Sequence, residues 1–329
     1  MSPSGDSYTF RVGISLVIHN RLQEVEKTLG SLEEEVSDLD RVCLVDNGST
    51  NRESLIQMKK RFHQFHWMEN MQNMGFGAGH HQALNWLMDQ NCQYLLLLNP
   101  DLSFPKGFLD SLIHESRRQE DRWVLGPLLV HEAGDDPVID SAGLELDGCF
   151  RARDCFQGKK KSEAFNDSAD VNPLKVQALC GAVLFIPSRL MPLRPEALVF
   201  SPEYFAYFED MELGLELERR RVPMGLLPHL HVVHRRGGLS RLQNLVEKDW
   251  QSRPNAVRGA ILNRYRTWFR HFGLLAGLFH YPKLLPYEWI RWTFILLRKP
   301  WLLKLIPEIL HILKEERFRM RHPPIRIPG

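Results

Sequence analysis

The sequence predicts an α/β protein: a mostly parallel central sheet flanked by helices, plus a C-terminal helical extension. Three observations carry this expectation. Short apolar runs alternate with segments of helical spacing over the first 130 residues, the order of a doubly wound parallel sheet. Acidic and Gly-rich clusters sit where those runs end, and such sheets place ligands at the carboxyl ends of their strands. Beyond about residue 250 the chain turns aromatic, basic and helical.

The elements follow in order. Val12 to Ile18 is an apolar run that reads as a buried first strand. Leu22, Val25, Leu29 and Leu32 have helical spacing. Arg41 to Val45 is a second strand, closed by the turn and N-cap chemistry of Asp46-Asn47-Gly48-Ser49. A helix over Ser54 to Phe65 and a short strand over Trp67 to Asn70 come next. The Gly-rich segment 75–79 opens a helix at about 80–89. Tyr94 to Leu98 is a central strand followed by Asn99-Pro100-Asp101, and Phe108 to Gln119 is a helix. Residues 131–175 are polar, with a Lys159-Lys160-Lys161 run, and read as an excursion or loop over the site. Val176 to Ile186 resumes the apolar pattern. Tyr204 to Arg221 holds an acidic motif and a helix, and Gly225 to His234 returns as a strand.

The 329 residues are 43% hydrophobic and 25% charged, which excludes a disordered chain. The net charge of +2 hides an asymmetry. Residues 250–329 hold 15 Lys and Arg against 4 Asp and Glu, so the remainder is acidic. A basic tail suggests an anionic surface as partner. Trp268, Trp289, Trp292 and Trp301 interleave with cations there, as suits a lipid–water interface or packing on the enzyme or another subunit. No nucleic-acid motif accompanies the mixture. Five cysteines without a CxxC pair suggest a reducing compartment and no zinc site. The polar N-terminus lacks an apolar signal segment, and no run of 18 apolar residues predicts a transmembrane helix.

The motifs supply the chemistry. Asp46 at a strand end can accept hydrogen bonds from a base or ribose, or cap a strand-to-helix turn. Asn73-Met74-Gly75-Phe76-Gly77-Ala78-Gly79 has the wrong spacing for a dinucleotide fingerprint. Its glycines can let backbone N–H groups approach a diphosphate, or form a tight loop. Asp101 can bind a hard cation, with Asn99 offering a neutral amide oxygen, or Asn99-Pro100-Asp101 can simply turn. Glu209, Asp210 and Glu212 put three acids within four residues. Close carboxylates repel and raise a pKa toward the range of a general base; a helix N-terminus also favours acids. His231 and His234, three apart in a strand, face opposite sides and are not expected to share a metal. Arg235, Arg236 and the Gly237-Gly238 backbone can contact a diphosphate.

In this order the five motifs, over about residues 11–245, resemble the inverting family 2 glycosyltransferases of the GT-A fold, in particular their bacterial rhamnosyltransferase-like branch. The resemblance implies a catalytic domain over 1–249 and a basic, aromatic helical region over 250–329. It implies Asp46 against a pyrimidine base, and Asn73, Gly75, Gly77, Gly79, Asn99, Arg235 and Arg236 around the donor. His80-His81 departs from the family, which commonly has an Asn there. It further implies Mg²⁺ or Mn²⁺ on Asp101 and His234, and Asp210 as base with Glu209 positioning it or the acceptor. The implied donor is dTDP-L-rhamnose. The implied acceptor is a hydroxyl of a saccharide or polyprenyl-linked glycan in cell-surface polysaccharide synthesis. The implied location is cytoplasmic and peripheral, at the inner face of a plasma membrane. A UDP- or GDP-hexose transferase of the same fold and a non-catalytic nucleotide-sugar-binding protein are the alternatives.

Overall fold

The computed structural model describes residues 9–38, 40–165, 172–191, 199–235, 254–274 and 282–321. The chain divides into two compact units. The first takes in Met1–Glu145, Asp154–Phe205 and Glu209–Ser240; the second takes in Leu146–Arg153, Ala206–Phe208 and Arg241–Gly329. The boundary expected at 249/250 lies outside the described residues, as does Arg236.

The first unit opens as the sequence predicts. Strands β1 (Phe10–Ile18), β2 (Arg41–Asn47), β3 (His66–Asn70) and β4 (Cys92–Leu98) alternate with helices α1 (Leu22–Glu33), α2 (Arg52–Arg61) and α3 (Phe76–Asp89). The four strands are parallel neighbours in the order β4-β1-β2-β3. The period of two along β1 decides what each face meets. Val12, Ile14, Leu16 and Ile18 join Leu22, Val25, Leu29 and Leu32 of α1 in the main core. Gly13 and Val17 face α3 and its end instead: a Cβ on Gly79 would come within 2.8 Å of Val17 Cγ1. Burial on both faces is why β1 reads as a continuous apolar run.

The rest of this unit departs from a simple parallel sheet. β5 (Leu102–Ser103), α4 (Phe108–Arg118), β6 (Val124–Val130) and β7 (Ile139–Ser141) follow β4. A hairpin of β8 (Leu144–Leu146) and β9 (Ala152–Asp154) comes next, its Leu146–Arg153 portion belonging to the second unit, then the one-turn α5 (Lys161–Ala164) and β10 (Leu174–Val176). β11 (Val183–Pro187), α6 (Glu209–Arg219) and β12 (Met224–His234) complete it. The full order is β10-β12-β6-β11-β4-β1-β2-β3. β11 runs antiparallel to both β4 and β6, so this half of the sheet is mixed. A parallel return needs a crossover of a dozen or more residues, usually helical. The described part of 131–182 offers only one turn of helix, so β11 starts at the edge where β6 ended. The segment read as a loop thus supplies two short strands to the sheet, β7 on β6 and β10 on β12, while β8 and β9 pair only with each other.

The second unit has its own core. α7 (Pro254–Phe272), α8 (Leu284–Arg298), a 3-10 turn (Pro300–Leu305) and α9 (Ile306–Arg321) enclose Phe150, Leu262, Trp268, Phe269, Ile295, Leu305 and Ile312. Phe150 stacks on Trp268 with ring centroids 5.4 Å apart. No helix of the described residues is long and apolar enough to cross a membrane.

Candidate active site

β4, β1 and β2 are adjacent and parallel, so the residues leaving their carboxyl ends emerge side by side. These are Asp101, Asn20-Arg21 and Asp46. Asn20 and Arg21 both adopt left-handed backbone, φ 59° and 53°, a conformation that costs non-glycine residues on the order of 1–3 kcal/mol each and collects at functional turns. Arg21 Nη1 reaches Asp101 Oδ2 at 3.2 Å.

β5 pairs antiparallel with β12 and sets His234 opposite Leu102. The Arg235 N–H donates to the Asp101 carbonyl at 2.9 Å. That register carries the His234 ring to the Asp101 carboxylate, with Nε2 3.3 Å from Oδ1. On the other side, His234 Nδ1 is 2.8 Å from Oδ2 of Asp140, a fully buried carboxylate on β7. His234 is therefore held between two carboxylates and is 5% exposed. Burial pushes its pKa down, but the adjoining carboxylates of Asp101 and Asp140 outweigh this and raise it. Burial likewise pushes Asp101 up, while His234 and Arg21 bring it below its ordinary value. Both shifts report a place that favours positive charge.

These residues fit a divalent cation. Asp101 Oδ1 is buried and has no hydrogen-bond partner. With Nδ1–H directed at Asp140, the neutral ring turns its Nε2 lone pair toward that oxygen, the carboxylate–histidine arrangement that prepares a metal ligand. Among the described residues, no three His, Cys, Asp or Glu side chains form a metal-binding group. An ion on Asp101 and His234 would therefore complete its shell with water and substrate oxygens, as Mg²⁺ commonly does. His231 turns elsewhere: its Nε2 meets the Pro228 carbonyl at 3.0 Å. The Arg235 side chain donates to Ser103 Oγ at 2.7 Å.

The other predicted donor residues form a tied turn. Asp46 is fully buried; its Oδ1 accepts the Ser49 N–H at 3.1 Å, and Arg52 Nη1 lies 3.5 Å from Oδ2. Asn47, which sequence reasoning passed over, organises the Gly-rich loop. Its Nδ2 donates to Asn73 Oδ1 and the Gly75 carbonyl, and its Oδ1 accepts the Met74 N–H at 3.0 Å. Asn73 Oδ1 also accepts the Gly75 N–H at 2.9 Å. Gly75 has φ 95°, and a Cβ there would meet the Phe205 carbonyl at 2.8 Å. A Cβ on Gly77 would meet Phe200 at 2.8 Å. Close packing thus requires these glycines irrespective of any ligand. Ser15 Oγ and His80 Nδ1 lie 2.7 Å apart under the loop, and burial lowers the His80 pKa to about 3, so His80 is neutral.

The acidic pair is brought to the same edge through β11. The Asn99 N–H donates to the Ala182 carbonyl at 2.9 Å. Next door, the Gly181 N–H donates to Asp210 Oδ2 at 3.2 Å. Asp210 Oδ1 accepts the Met211 N–H at 2.8 Å. The chain enters α6 through Tyr207 and Phe208 at φ 66° and 69°, strained values for aromatic residues. Burial raises the pKa of both acids, and the Asp210 charge raises Glu209 further, to about 8. Glu209 Oε2 has no partner, whereas Asp210 accepts two N–H groups. The pair's proton therefore resides on Glu209 and the charge on Asp210.

Protonated Glu209 also makes stability depend on pH. A carboxyl raised in the folded state stabilises the fold only while protonated. Its contribution is complete below the ordinary value of 4.5 and is lost as pH rises through about 8. Glu209→Gln keeps the shape without the titration. Its thermal midpoint is expected to decline less than that of the parent between pH 5 and about 8, as read by circular dichroism.

Residues 14–164 match the family model described as Glycosyl transferase family 2. Sequence comparison with curated proteins finds no match. Among solved structures the chain is similar to the "Crystal structure of GalNAc-T7 with UDP, GalNAc and Mn2+", with a TM-score of 0.50 and 12% identity over 70% of this chain. The chain spans 44% of that structure's chain, less than half its length. The likeness establishes the GT-A fold predicted from the sequence.

Proposed function

For a chain whose residues 14–164 match the glycosyl transferase family 2 model, on a GT-A fold, we propose a metal-dependent inverting glycosyltransferase that takes its sugar from a nucleoside diphosphate donor. The observation that carries this reading is the pairing of two unlike carboxylate sites at one sheet edge. Asp101 beside His234 suits a cation, and Asp210 beside a protonated Glu209 suits a base.

Asp210 would accept the acceptor hydroxyl proton as that oxygen attacks the anomeric carbon from the face opposite the leaving group. Glu209, protonated, keeps the second charge off the site and can donate a hydrogen bond to the acceptor. Asp101 and His234 would hold the cation, which when bound offsets the charge building on the departing diphosphate. Asp46 would meet the base, and Asn73, Gly75, Gly77, Gly79, Asn99, Arg235 and Arg236 would surround the ribose and diphosphate. The Asn-Pro-Asp and His-x-x-Gly variants favour dTDP-L-rhamnose as donor. The acceptor would be a saccharide or polyprenyl-linked glycan of a cell-surface polysaccharide, reached at the inner face of a plasma membrane. The basic 250–329 region supports contact with anionic lipid there. A UDP-sugar is the second reading, favoured by the UDP that accompanies GalNAc-T7 in the similar crystal structure.

The test is calorimetric titration with dTDP-, UDP- and GDP-sugars, with and without Mn²⁺. Metal-dependent binding of dTDP-rhamnose alone is expected. Preference for a UDP- or GDP-sugar would keep the enzyme class and overturn the donor. No binding by folded protein would favour a non-catalytic role.

A further inference from the structure

α8 turns Glu288 and Arg291 inward and leaves a run of its apolar residues exposed. Glu288 and Arg291 have side chains only 14% and 17% exposed. Glu288 accepts hydrogen bonds from Tyr265 Oη and Trp292 Nε1 and pairs with Arg264 at 2.6 Å. Arg291 Nη1 donates to Tyr265 Oη at 3.0 Å. On the opposite side, Leu285, Trp289, Ile290, Phe294, Leu296 and Leu297 are 52–73% exposed. At about 100° per residue they span roughly half the helix circumference, broken only by Pro286 and Thr293. Contiguous exposed apolar surface of this kind marks an interaction face.

The charges around the face select the partner. Exposed Lys283, Arg298 and Lys304 stand at its ends, and Glu288, turned inward, is the one acid in residues 274–307. A second copy docking face to face would bring the same cations together, which opposes an isologous contact. Exposed Trp289 and Trp301 add the amphipathic rings favoured where hydrocarbon meets headgroup. We infer that α8 lies in the plane of an anionic membrane with this face sunk into the headgroup–acyl boundary. The inference deepens the membrane contact proposed above: it adds insertion by a named face to attraction by net charge.

The experiment uses the full chain and vesicles of phosphatidylcholine with or without phosphatidylglycerol. The readouts are flotation and quenching of tryptophan emission by lipids brominated along the acyl chain. The comparison is Trp289→Gln/Leu297→Gln, whose positions are exposed and whose fold is checked by circular dichroism. Wild type is expected to float with anionic vesicles, to be quenched, and to remain partly bound at high salt. The double variant is expected to partition about tenfold or more weakly. Equal flotation of the variant would overturn insertion. So would binding that salt abolishes completely, which leaves electrostatic contact alone. A stable dimer by light scattering that the variant converts to monomer would assign the face to a second copy and overturn the lipid assignment. Transfer to a soluble acceptor is measured separately. Its loss with flotation intact would strike the catalytic reading only.

Discussion

Asp210→Asn is expected to lower turnover by about 10²–10⁴-fold, the usual contribution of a positioned general base, while donor and Mn²⁺ affinities stay as in the parent. The exchange is nearly isosteric and removes the charge that would take the acceptor proton. It also has a structural cost. Asp210 accepts N–H groups from Gly181 and Met211 on its two oxygens, and an amide has one acceptor oxygen. One of those donors loses its partner, at about 1–3 kcal/mol. A lower melting temperature is therefore expected and does not explain lost turnover in protein that remains folded and binds donor. Calorimetry and initial rates on the same preparation separate the two effects. Turnover within a few-fold of the parent would place the base elsewhere, with the adjacent Glu209 the next candidate. The parent's rate should also rise with pH through a pKa above the ordinary aspartate value, because burial raises Asp210.

Asp140→Leu is expected to weaken Mn²⁺ binding about 10–100-fold, as loss of a carboxylate behind a ligating histidine commonly does. Asp140 touches no predicted substrate atom; it acts through His234, whose Nδ1 it holds at 2.8 Å. Without it, nothing selects the tautomer that presents Nε2 toward Asp101. Asp140→Asn retains an acceptor oxygen and should recover most of the affinity, an outcome that a general packing defect would not produce. Free Mn²⁺ measured by electron paramagnetic resonance, with a nucleoside diphosphate present, reads the effect without any turnover. Affinity unchanged in Asp140→Leu would remove His234 Nε2 from the cation site.

The first four strands and the helices between them were legible because their burial is local and periodic. β1, β2 and β4 are apolar runs, the last two closed by Asp46 and Asn99, and α1 carries Leu22, Val25, Leu29 and Leu32 on one face. Segment 131–175 was not legible. Its strands are three residues long, so no periodicity accumulates, and β7 and β10 are held by pairing with β6 and β12. Asp140 was missed for that reason. The faint signal was a lone carboxylate in Val138-Ile139-Asp140-Ser141-Ala142, inside a stretch that otherwise looked polar. The glycines of 75–79 were read as open to a diphosphate, but only the fold shows Phe205, Phe200 and Val17 pressed against them.

The sequence by itself therefore determined the fold class, the strand ends that bear Asp46, Asn99 and Asp101, and the acidic start of α6. Each depends on residue type and spacing within one element. Tertiary structure decided the partnerships: His234 with Asp101 and Asp140, Asp210 with Gly181, and the outward turn of α8's apolar face. These join residues tens of positions apart, or set a helix's rotation by what packs behind it. Local pattern carries no information about which distant group will fill a hydrogen bond or cover a face. That is settled only when the sheet order is formed and the buried polar groups must find partners.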